Sequence, residues 1–141
     1  MIEQCVVVSA CLLGENCKYN GKNNLNDKVM LFLLDKKVLP ICPEQLAGLP
    51  TPRPSAEMVN ARVTEQSGKD VHNVYQAGVD KAMAILAQEQ VEAVVLQSRS
   101  PTCGVNQIYD GTFTGKLISG SGLFAQELKK QNYSVIDVAD L

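Results

Sequence analysis

The sequence predicts an α/β fold: one domain, residues 1–141, with three α/β/α layers around a mostly parallel, Rossmann-like sheet. Short continuous runs of β-branched residues, as in CVVVSA and VEAVVLQ, are typical of strands buried on both faces. Segments with helical periodicity alternate with these runs, which predicts right-handed crossovers between parallel strands. A length of 141 residues suits a single core, and no internal repeat or low-complexity linker divides it.

The first third of the chain predicts two strands and a helix. QCVVVSA predicts a buried strand, and the Gly- and Asn-rich LLGENCKYNGKNN predicts a loop. LNDKVMLFLLDKK has helical spacing, with Asn26 or Asp27 as its N-cap. Its apolar face would consist of Val29, Phe32 and Leu33. VLPI predicts a second strand, which ends at Cys42.

The middle of the chain begins irregularly and continues into the strongest helix pattern. PEQLAGLPTPRPSAEMV holds four of the six prolines and predicts irregular structure, while EMVNARVTEQ predicts a pair of minor strands. DVHNVYQAGVDKAMAILAQEQ predicts a helix capped by Asp70. Its apolar stripe would consist of Val71, Val74, Tyr75, Ala82, Met83 and Leu86.

The last third predicts a strand, a glycine-rich connection, a helix and a final strand. VEAVVLQ is the third buried strand, and YDGTFTGKLISGSG has no predicted element. GLFAQELKKQ predicts a helix and YSVIDV a strand. The segment SGSG predicts a serine cap for that helix rather than a cradle for an anion.

Composition excludes several classes of protein. With 45% apolar and 20% charged residues, the chain is neither disordered nor membrane-spanning, and a net charge of −2 provides no basic surface for nucleic acid. MIEQC carries an acid and no basic residue, unlike the start of a signal peptide. We therefore expect a cytoplasmic protein with no nucleic-acid or membrane partner. The oligomeric state is left open.

The five cysteines indicate chemistry rather than disulfides. An odd number without a secretion signal argues against a disulfide framework. Cys5 lies within a strand pattern and is predicted to be a buried small hydrophobe. Cys11, Cys42 and Cys103 each fall at or just past the end of a predicted strand. Because parallel strands end at the same edge of a sheet, where ligands bind, these three thiols are expected to meet there.

Three converging thiolates suit a soft metal, either zinc or an iron–sulfur cluster. No CxxC pair occurs, and the lone His72 lies within a predicted helix, so a Cys/His zinc site is unsupported. Polar groups accompany the thiols. Glu44 follows Cys42, which places a carboxylate beside a thiol at a strand end. The alternative interpretation is an acidic residue in the first turn of a helix. Ser98 and Ser100 place two hydroxyl groups near Cys103. The alternative interpretation is that they hydrogen-bond to the loop backbone in local turns.

Four blocks of the sequence resemble a known family. SACLLGENCKYNG, ICPEQLAGLPTPRPSAE, SRSPTCG and IYDGTFTG are similar, in order, to the signature blocks of a bacterial family that includes thiouracil desulfurases. The resemblance implies a [4Fe–4S] cluster held by three cysteines. Its fourth iron would be open to take sulfur from a thiocarbonyl, and water would replace the sulfur to give uracil and sulfide. The implied substrate is a thiolated pyrimidine or a similar small molecule.

The resemblance and the predicted strand ends select the same residues. The four cysteines in the matched blocks are Cys11, Cys17, Cys42 and Cys103. Strand-end placement favours Cys11, Cys42 and Cys103 as ligands, with Cys17 as the runner-up if its loop folds back over the edge. A water that attacks carbon needs a base, a role that suits Glu44.

Other residues in the blocks have expected roles in the site. Ser98 or Ser100 would hydrogen-bond the substrate or a developing oxyanion. Arg53 would anchor a substrate carbonyl, pair with Glu57, or form an ordinary surface ion pair. Tyr109 and Asp110 would form a turn, with Tyr109 as a cavity wall that contacts substrate.

The chain also differs from the family pattern at several positions. The differing residues are Lys18, Asn20, His72, Gln97 and Thr102. We expect them near the mouth of the site, where they would bear on substrate choice.

Two other functions fit the same residues. One is a cluster-free, thiol-based transfer or redox enzyme with Cys103 as its nucleophile. The other is a binding module for a nucleobase or a small anion, in which SGSG would supply free amides.

Overall fold

A computed structural model describes residues 3–141 of the chain. The elements in order are β1 (Gln4–Ser9), α1 (Asp27–Phe32), β2 (Lys37–Ile41), α2 (Pro43–Leu46), β3 (Ala56–Val59), β4 (Arg62–Glu65), α3 (His72–Leu86), β5 (Gln90–Leu96), β6 (Gln107–Tyr109), β7 (Leu117–Ser119), α4 (Leu123–Lys130) and β8 (Val135–Asp137). Two short 3₁₀ turns follow β1 and β8.

Four strands form the central sheet, in the order β2-β1-β5-β8, and every neighbouring pair is parallel. In the register of the sheet, Val7 of β1 lies opposite Leu39 on one side and Val94 on the other. The two remaining pairs, β3-β4 and β6-β7, are small antiparallel hairpins outside this sheet. The α/β class with a mostly parallel sheet is therefore confirmed.

The sheet is buried on both faces because alternate residues of β1 point to opposite sides. Cys5 and Val7 belong to one apolar cluster with residues of α3 and α4, such as Val79 and Phe124. Val6 and Val8 belong to a second cluster with α1 and the 3₁₀ turn after β1. Full burial of each such side chain contributes about 1.5–3 kcal/mol. This arrangement gives the expected three layers, and Cys5 is a core residue as predicted.

The helix predictions hold in part. Asn26 caps α1, since its side chain accepts a hydrogen bond from the amide of Val29. In α3 the stripe is partly wrong, because Val74 is exposed whereas Gly78 and Val79 are buried. Asp70 accepts a hydrogen bond from the amide of His72, although Val71 occupies the N-cap position.

Two predictions of irregular structure are wrong. The segment after Cys42 begins with the short helix α2, which packs on α3 where Gly78 leaves room. A Cβ at Gly78 would lie 2.0 Å from the carbonyl oxygen of Pro43. The glycine-rich segment contains β7, which forms a hairpin with β6 just before the segment, and three-residue strands are too short to show a period.

Within residues 3–141, no helix is both long enough and apolar enough to cross a membrane.

Candidate active site

The carboxyl ends of β1, β2 and β5 meet at one edge of the sheet and surround a cavity of about 560 Å³. This volume lies in the usual range for small-molecule sites. The sequence-predicted residues that line the cavity are Cys11, Cys17, Cys42, Cys103, Glu44, Ser98, Ser100 and Tyr109. The expected convergence of the strand-end thiols is thus present, and the cavity is open to the same edge that the parallel topology specifies.

A folded loop returns Cys17 to the same edge as Cys11. Gly14 ends the 3₁₀ turn with a φ of +93°, a conformation that glycine adopts without strain, and its amide donates to the carbonyl of Cys11 at 3.3 Å. The amide of Asn24 also donates to the Cys11 carbonyl, at 2.8 Å, and closes the loop. Cys17 is consequently buried and lines the cavity.

The thiol of Cys17 interacts with two neighbouring sulfurs. Its hydrogen bond lowers the pKa of Cys11 to about 7, against the opposing effect of burial. The Asn24 side-chain amide also donates to the Cys11 sulfur, at 3.6 Å. Cys17 likewise lowers the pKa of Cys42, and the pKa of Cys17 itself is raised by the same two contacts. Cys11 and Cys42 therefore form thiolates readily, which is the state that binds metal.

Cys103 lies on a loop that is fixed from two sides. The hydroxyl oxygen of Ser100 accepts hydrogen bonds from the amides of Cys103 at 2.7 Å and Thr102 at 3.3 Å. The first amides of α4 donate to the carbonyls of Pro101 and Thr102. Burial raises the pKa of the Cys103 thiol well above its ordinary value. As a free nucleophile, Cys103 is therefore poorly activated.

The segment SGSG neither caps α4 with a serine nor offers free amides to an anion. Gly122 occupies the N-cap position, and the Ser121 hydroxyl donates to the carbonyl of Val105 at 2.7 Å. Within the segment, the amide of Gly120 donates to the carbonyl of Asn106 at 3.1 Å and the amide of Gly122 donates to that of Gly104 at 2.8 Å. Both interpretations of SGSG are wrong, and the anion-binding alternative loses its sequence support.

Glu44 is held at both carboxylate oxygens. The Thr102 hydroxyl donates to Oε1 at 3.1 Å, and Nη2 of Arg53 donates to Oε2. Arg53 is not a surface residue, since its side chain is only 2% exposed. Its ion-pair partner is Glu44 rather than Glu57. It lies behind Glu44 rather than on the cavity wall. Sequence reasoning treated Thr102 only as a departure from the family pattern, although a hydroxyl next to a strand-end cysteine was the available signal.

Glu57 instead fixes the loop that follows Tyr109. Its carboxylate accepts from the amides of Gly111 at 3.0 Å and Phe113 at 3.2 Å. Phe113, which was not singled out from the sequence, lines the cavity and has a left-handed φ of 59°. The cost of this conformation for a bulky residue is typical of backbone that is held in place at a site. Asp110 forms the expected turn by accepting from the amide of Thr112.

Ser98 and Ser100 differ in whether the hydroxyl proton is already used in a hydrogen bond. Ser98 donates its only hydroxyl proton to the buried carboxylate of Asp137, at 2.5 Å. Ser100 accepts two backbone hydrogen bonds, so its own proton is available. Between the two, only Ser100 retains a donor for a group in the cavity.

The departures from the family pattern do not all lie at the site. Lys18, Gln97 and Thr102 line the cavity, as expected. Asn20 and His72 do not line it, although Asn20 directly follows the lining residue Tyr19. His72 begins α3, where its Nδ1 accepts from the amide of Val63 at 3.2 Å.

The donor set fits an iron–sulfur cluster better than a single ion. Across residues 3–141, no three His, Cys, Asp or Glu side chains are arranged to hold one metal ion. A single zinc ion needs all its ligand sulfurs about 2.3 Å away. In a cluster each thiolate binds a different iron, so its ligands surround a volume instead of one point. Four thiols around one cavity, two of them with lowered pKa values, have the chemistry of such a site.

Comparison with known proteins gives one consistent result. A family model for 2-thiouracil desulfurase matches residues 6–140. An uncharacterized protein of Bacillus subtilis (strain 168), YbbK, is 38% identical over 146 residues, which are 96% of this chain and 97% of that protein. A solved structure of a [4Fe-4S]-dependent thiouracil desulfidase, TudS, superposes with a TM-score of 0.91 at 31% identity, covering 99% of this chain and 93% of the other. The chain belongs to the 2-thiouracil desulfurase family.

Proposed function

We propose that this protein is a desulfurase that removes sulfur from the thiocarbonyl of a small molecule of the thiouracil type by hydrolysis. The reaction converts C=S and water into C=O and hydrogen sulfide, with no net oxidation or reduction. The observation that carries the proposal is the set of four thiols together with the Glu44 carboxylate around a single cavity in a member of this family. The whole chain, 1–141, would act as one catalytic domain. Its thiol chemistry suits the reducing cytoplasm.

The ligands of the proposed cofactor, a [4Fe–4S] cluster, are Cys11, Cys42 and Cys103. Each follows the end of a different parallel strand, so the topology of the sheet brings all three to the same edge. Cys17 hydrogen-bonds to Cys11 and Cys42 and would lie beside the cluster as a thiol that does not bind iron. When bound, the cluster supplies an iron with an open position, which acts as a soft Lewis acid toward sulfur.

Glu44 is the proposed general base. It lies on the cavity wall two residues after Cys42, and its carboxylate is oriented by Thr102 and Arg53. It accepts a proton from the water that attacks the thiocarbonyl carbon and delivers it to the departing sulfur; the second water proton leaves the new hydroxyl group as C=O forms and completes hydrogen sulfide. The Ser100 hydroxyl group donates a hydrogen bond to the oxygen that becomes attached to that carbon. Ser98 offers lone pairs and would accept from a ring N–H of the substrate.

The aromatic side of the cavity suits a planar heterocycle. Tyr109 ends β6 and Phe113 lies on the loop held by Glu57, and both line the cavity. Base–aromatic stacking contributes about 1–3 kcal/mol per base. This wall favours a pyrimidine ring over a small aliphatic thioamide.

The experiment is reconstitution without oxygen, followed by a sulfide-release assay with 2-thiouracil. The expected result is a brown protein that forms uracil and sulfide in equal amounts. A protein that stays colourless after treatment with iron and sulfide yet still releases sulfide would support the thiol-based alternative. A brown protein that releases none from 2-thiouracil or related thiolated pyrimidines would refute the proposed activity.

A further inference from the structure

The Glu44 carboxylate lies where three cysteine-bearing segments of the chain meet. Its own segment carries Cys42, which is the N-cap of α2. Its Oε1 is bound by Thr102, the residue immediately before Cys103. Its Oε2 is bound by Nη2 of Arg53, and the same nitrogen donates to the main-chain carbonyl of Cys17 at 2.8 Å. Segments from positions 17, 42 and 103 are thereby joined through one carboxylate.

These contacts are shielded from water. The Arg53 side chain is 2% exposed, the Glu44 side chain is 17% exposed, and Thr102 is buried. Nη1 of Arg53 also binds the carbonyl of Pro50 at 3.2 Å, which anchors the guanidinium in its own loop. A hydrogen bond to an ionised group contributes more than one between neutral groups, and an unmatched buried partner is costly. The three groups therefore resist separation.

Ordinary sheet pairing does not join these segments. All three lie in loops beyond the strand ends, where the backbone ladder of β1, β2 and β5 has stopped. Without the carboxylate, the loop of Cys103 would be held mainly by α4, and the loop of Cys42 by α3. The relative position of the two thiols would then depend on the packing of two separate helices.

Building on the proposed function, we propose that Glu44, Thr102 and Arg53 form a polar latch that holds the cysteine-bearing segments in their cluster-binding arrangement. Thr102 and Arg53 are positioning residues, because they act through Glu44 and the loops rather than as ligands of the cluster. Arg53 thus has a role other than the substrate contact expected from the sequence. The latch limits how far Cys42 and Cys103 can separate, and so slows the loss of iron.

The test compares Thr102→Val with Thr102→Ser. Valine keeps the volume of threonine and removes the hydroxyl, whereas serine keeps the hydroxyl and removes a methyl group. Thr64→Val is the matched control, because Thr64 lies on β4, does not line the cavity, and donates its hydroxyl to the nearby carbonyl of Arg62. Each protein is reconstituted without oxygen, and the rate of iron loss to an excess of chelator is measured in the absence of substrate.

We expect Thr102→Val to lose iron roughly tenfold faster than wild type or more, since it lacks a buried hydrogen bond to a charged group. Thr102→Ser and Thr64→Val should lose iron at the wild-type rate. Equal rates for Thr102→Val and wild type would overturn the latch. Fast loss from both Thr102 variants would overturn it too, because the methyl group rather than the hydroxyl would then be responsible.

Arg53→Lys provides a second test should Thr102→Val fold poorly. A lysine ammonium keeps the charge near Glu44 but lacks the planar fork that binds the carboxylate and the Cys17 carbonyl together. Arg62→Lys is its control, at an exposed pair with Asp70. The latch predicts faster iron loss for Arg53→Lys only, and equal loss from the two lysine variants refutes it.

The experiments distinguish failure of the latch from failure of the proposed reaction. A wild-type protein that holds its cluster but releases no sulfide would refute the proposed reaction and leave the latch to be decided by the iron-loss rates. A wild-type protein with full activity, together with unchanged iron loss in Thr102→Val and Arg53→Lys, would refute the latch alone. A wild-type protein that takes up no iron would refute both.

Discussion

Replacement of Glu44 by glutamine is the most informative perturbation of this site. The amide has nearly the shape of the carboxylate but cannot take up a proton, so a general-base role predicts a loss of about two to four orders of magnitude in rate. Glutamine can still accept from Arg53 through its oxygen. Its NH₂ group can donate to the Thr102 hydroxyl, which reverses the direction of that hydrogen bond. The fold and the cluster should therefore survive in part.

The same change leaves the guanidinium of Arg53 without its counter-charge. That side chain is 2% exposed, so the charge cannot be hydrated in place. Removing one partner of a buried ion pair costs about 3–5 kcal/mol. We expect the lower end of this range, because the amide oxygen still accepts from Nη2. The stability loss and the rate loss thus have different causes and are separable.

The assay measures sulfide release from 2-thiouracil per bound iron, together with the free energy of unfolding of the apoprotein. Arg53→Met and the double variant Glu44→Gln/Arg53→Met complete a double-mutant cycle. The double variant should regain stability relative to Glu44→Gln, since the orphan charge is gone, but it should not regain rate. Sulfide release per iron within about twofold of wild type in Glu44→Gln would refute the base role. Glu44 would then serve only to hold the cysteine-bearing loops together.

Three further predictions concern the ligands, the loop of Cys103 and the aromatic wall. Serine at any one of the three proposed ligands should lower the iron bound after reconstitution, while Cys5→Ala should not; full iron in a Cys42→Ser protein would refute the ligand assignment. Gly122→Ala should lower the free energy of unfolding by about 1–3 kcal/mol in a denaturant titration, because its Cβ would lie 2.4 Å from the carbonyl carbon of Thr102. An unchanged midpoint would show that the contact relaxes freely. Phe113→Ala should raise KM for 2-thiouracil roughly tenfold through lost stacking and leave KM for thiourea unchanged. Equal increases for both substrates would point to a general disturbance of the loop.

Local patterns were sufficient to predict the sheet and the place of the site. A run such as CVVV is expected to be buried on both faces, because it has no polar residue that could face water. Parallel strands bring their carboxyl ends to one edge, which is why the positions of Cys11, Cys42 and Cys103 in the sequence already indicated a shared cavity. The prediction depended only on periodicity and chain direction, and both are local properties.

The partners of the polar side chains were decided by the tertiary structure. Glu57 is four residues from Arg53 and was the obvious neighbour, yet Arg53 binds Glu44 and the carbonyl of Cys17, 36 residues away. Thr102 reaches Glu44 across 58 positions. Nothing in local spacing distinguishes such partners, because they are brought together only when separate loops pack on the same sheet edge.

The sequence by itself thus determined the strands of the central sheet, their direction and the edge where the thiols emerge. The tertiary structure decided which side chains meet there, including Cys17 through its folded loop and Phe113 through the Glu57 contact. The physical reason is a difference in range. Burial and backbone hydrogen bonding impose a period on neighbouring residues, whereas a buried charge is stabilised by whichever partner the fold brings within hydrogen-bonding distance.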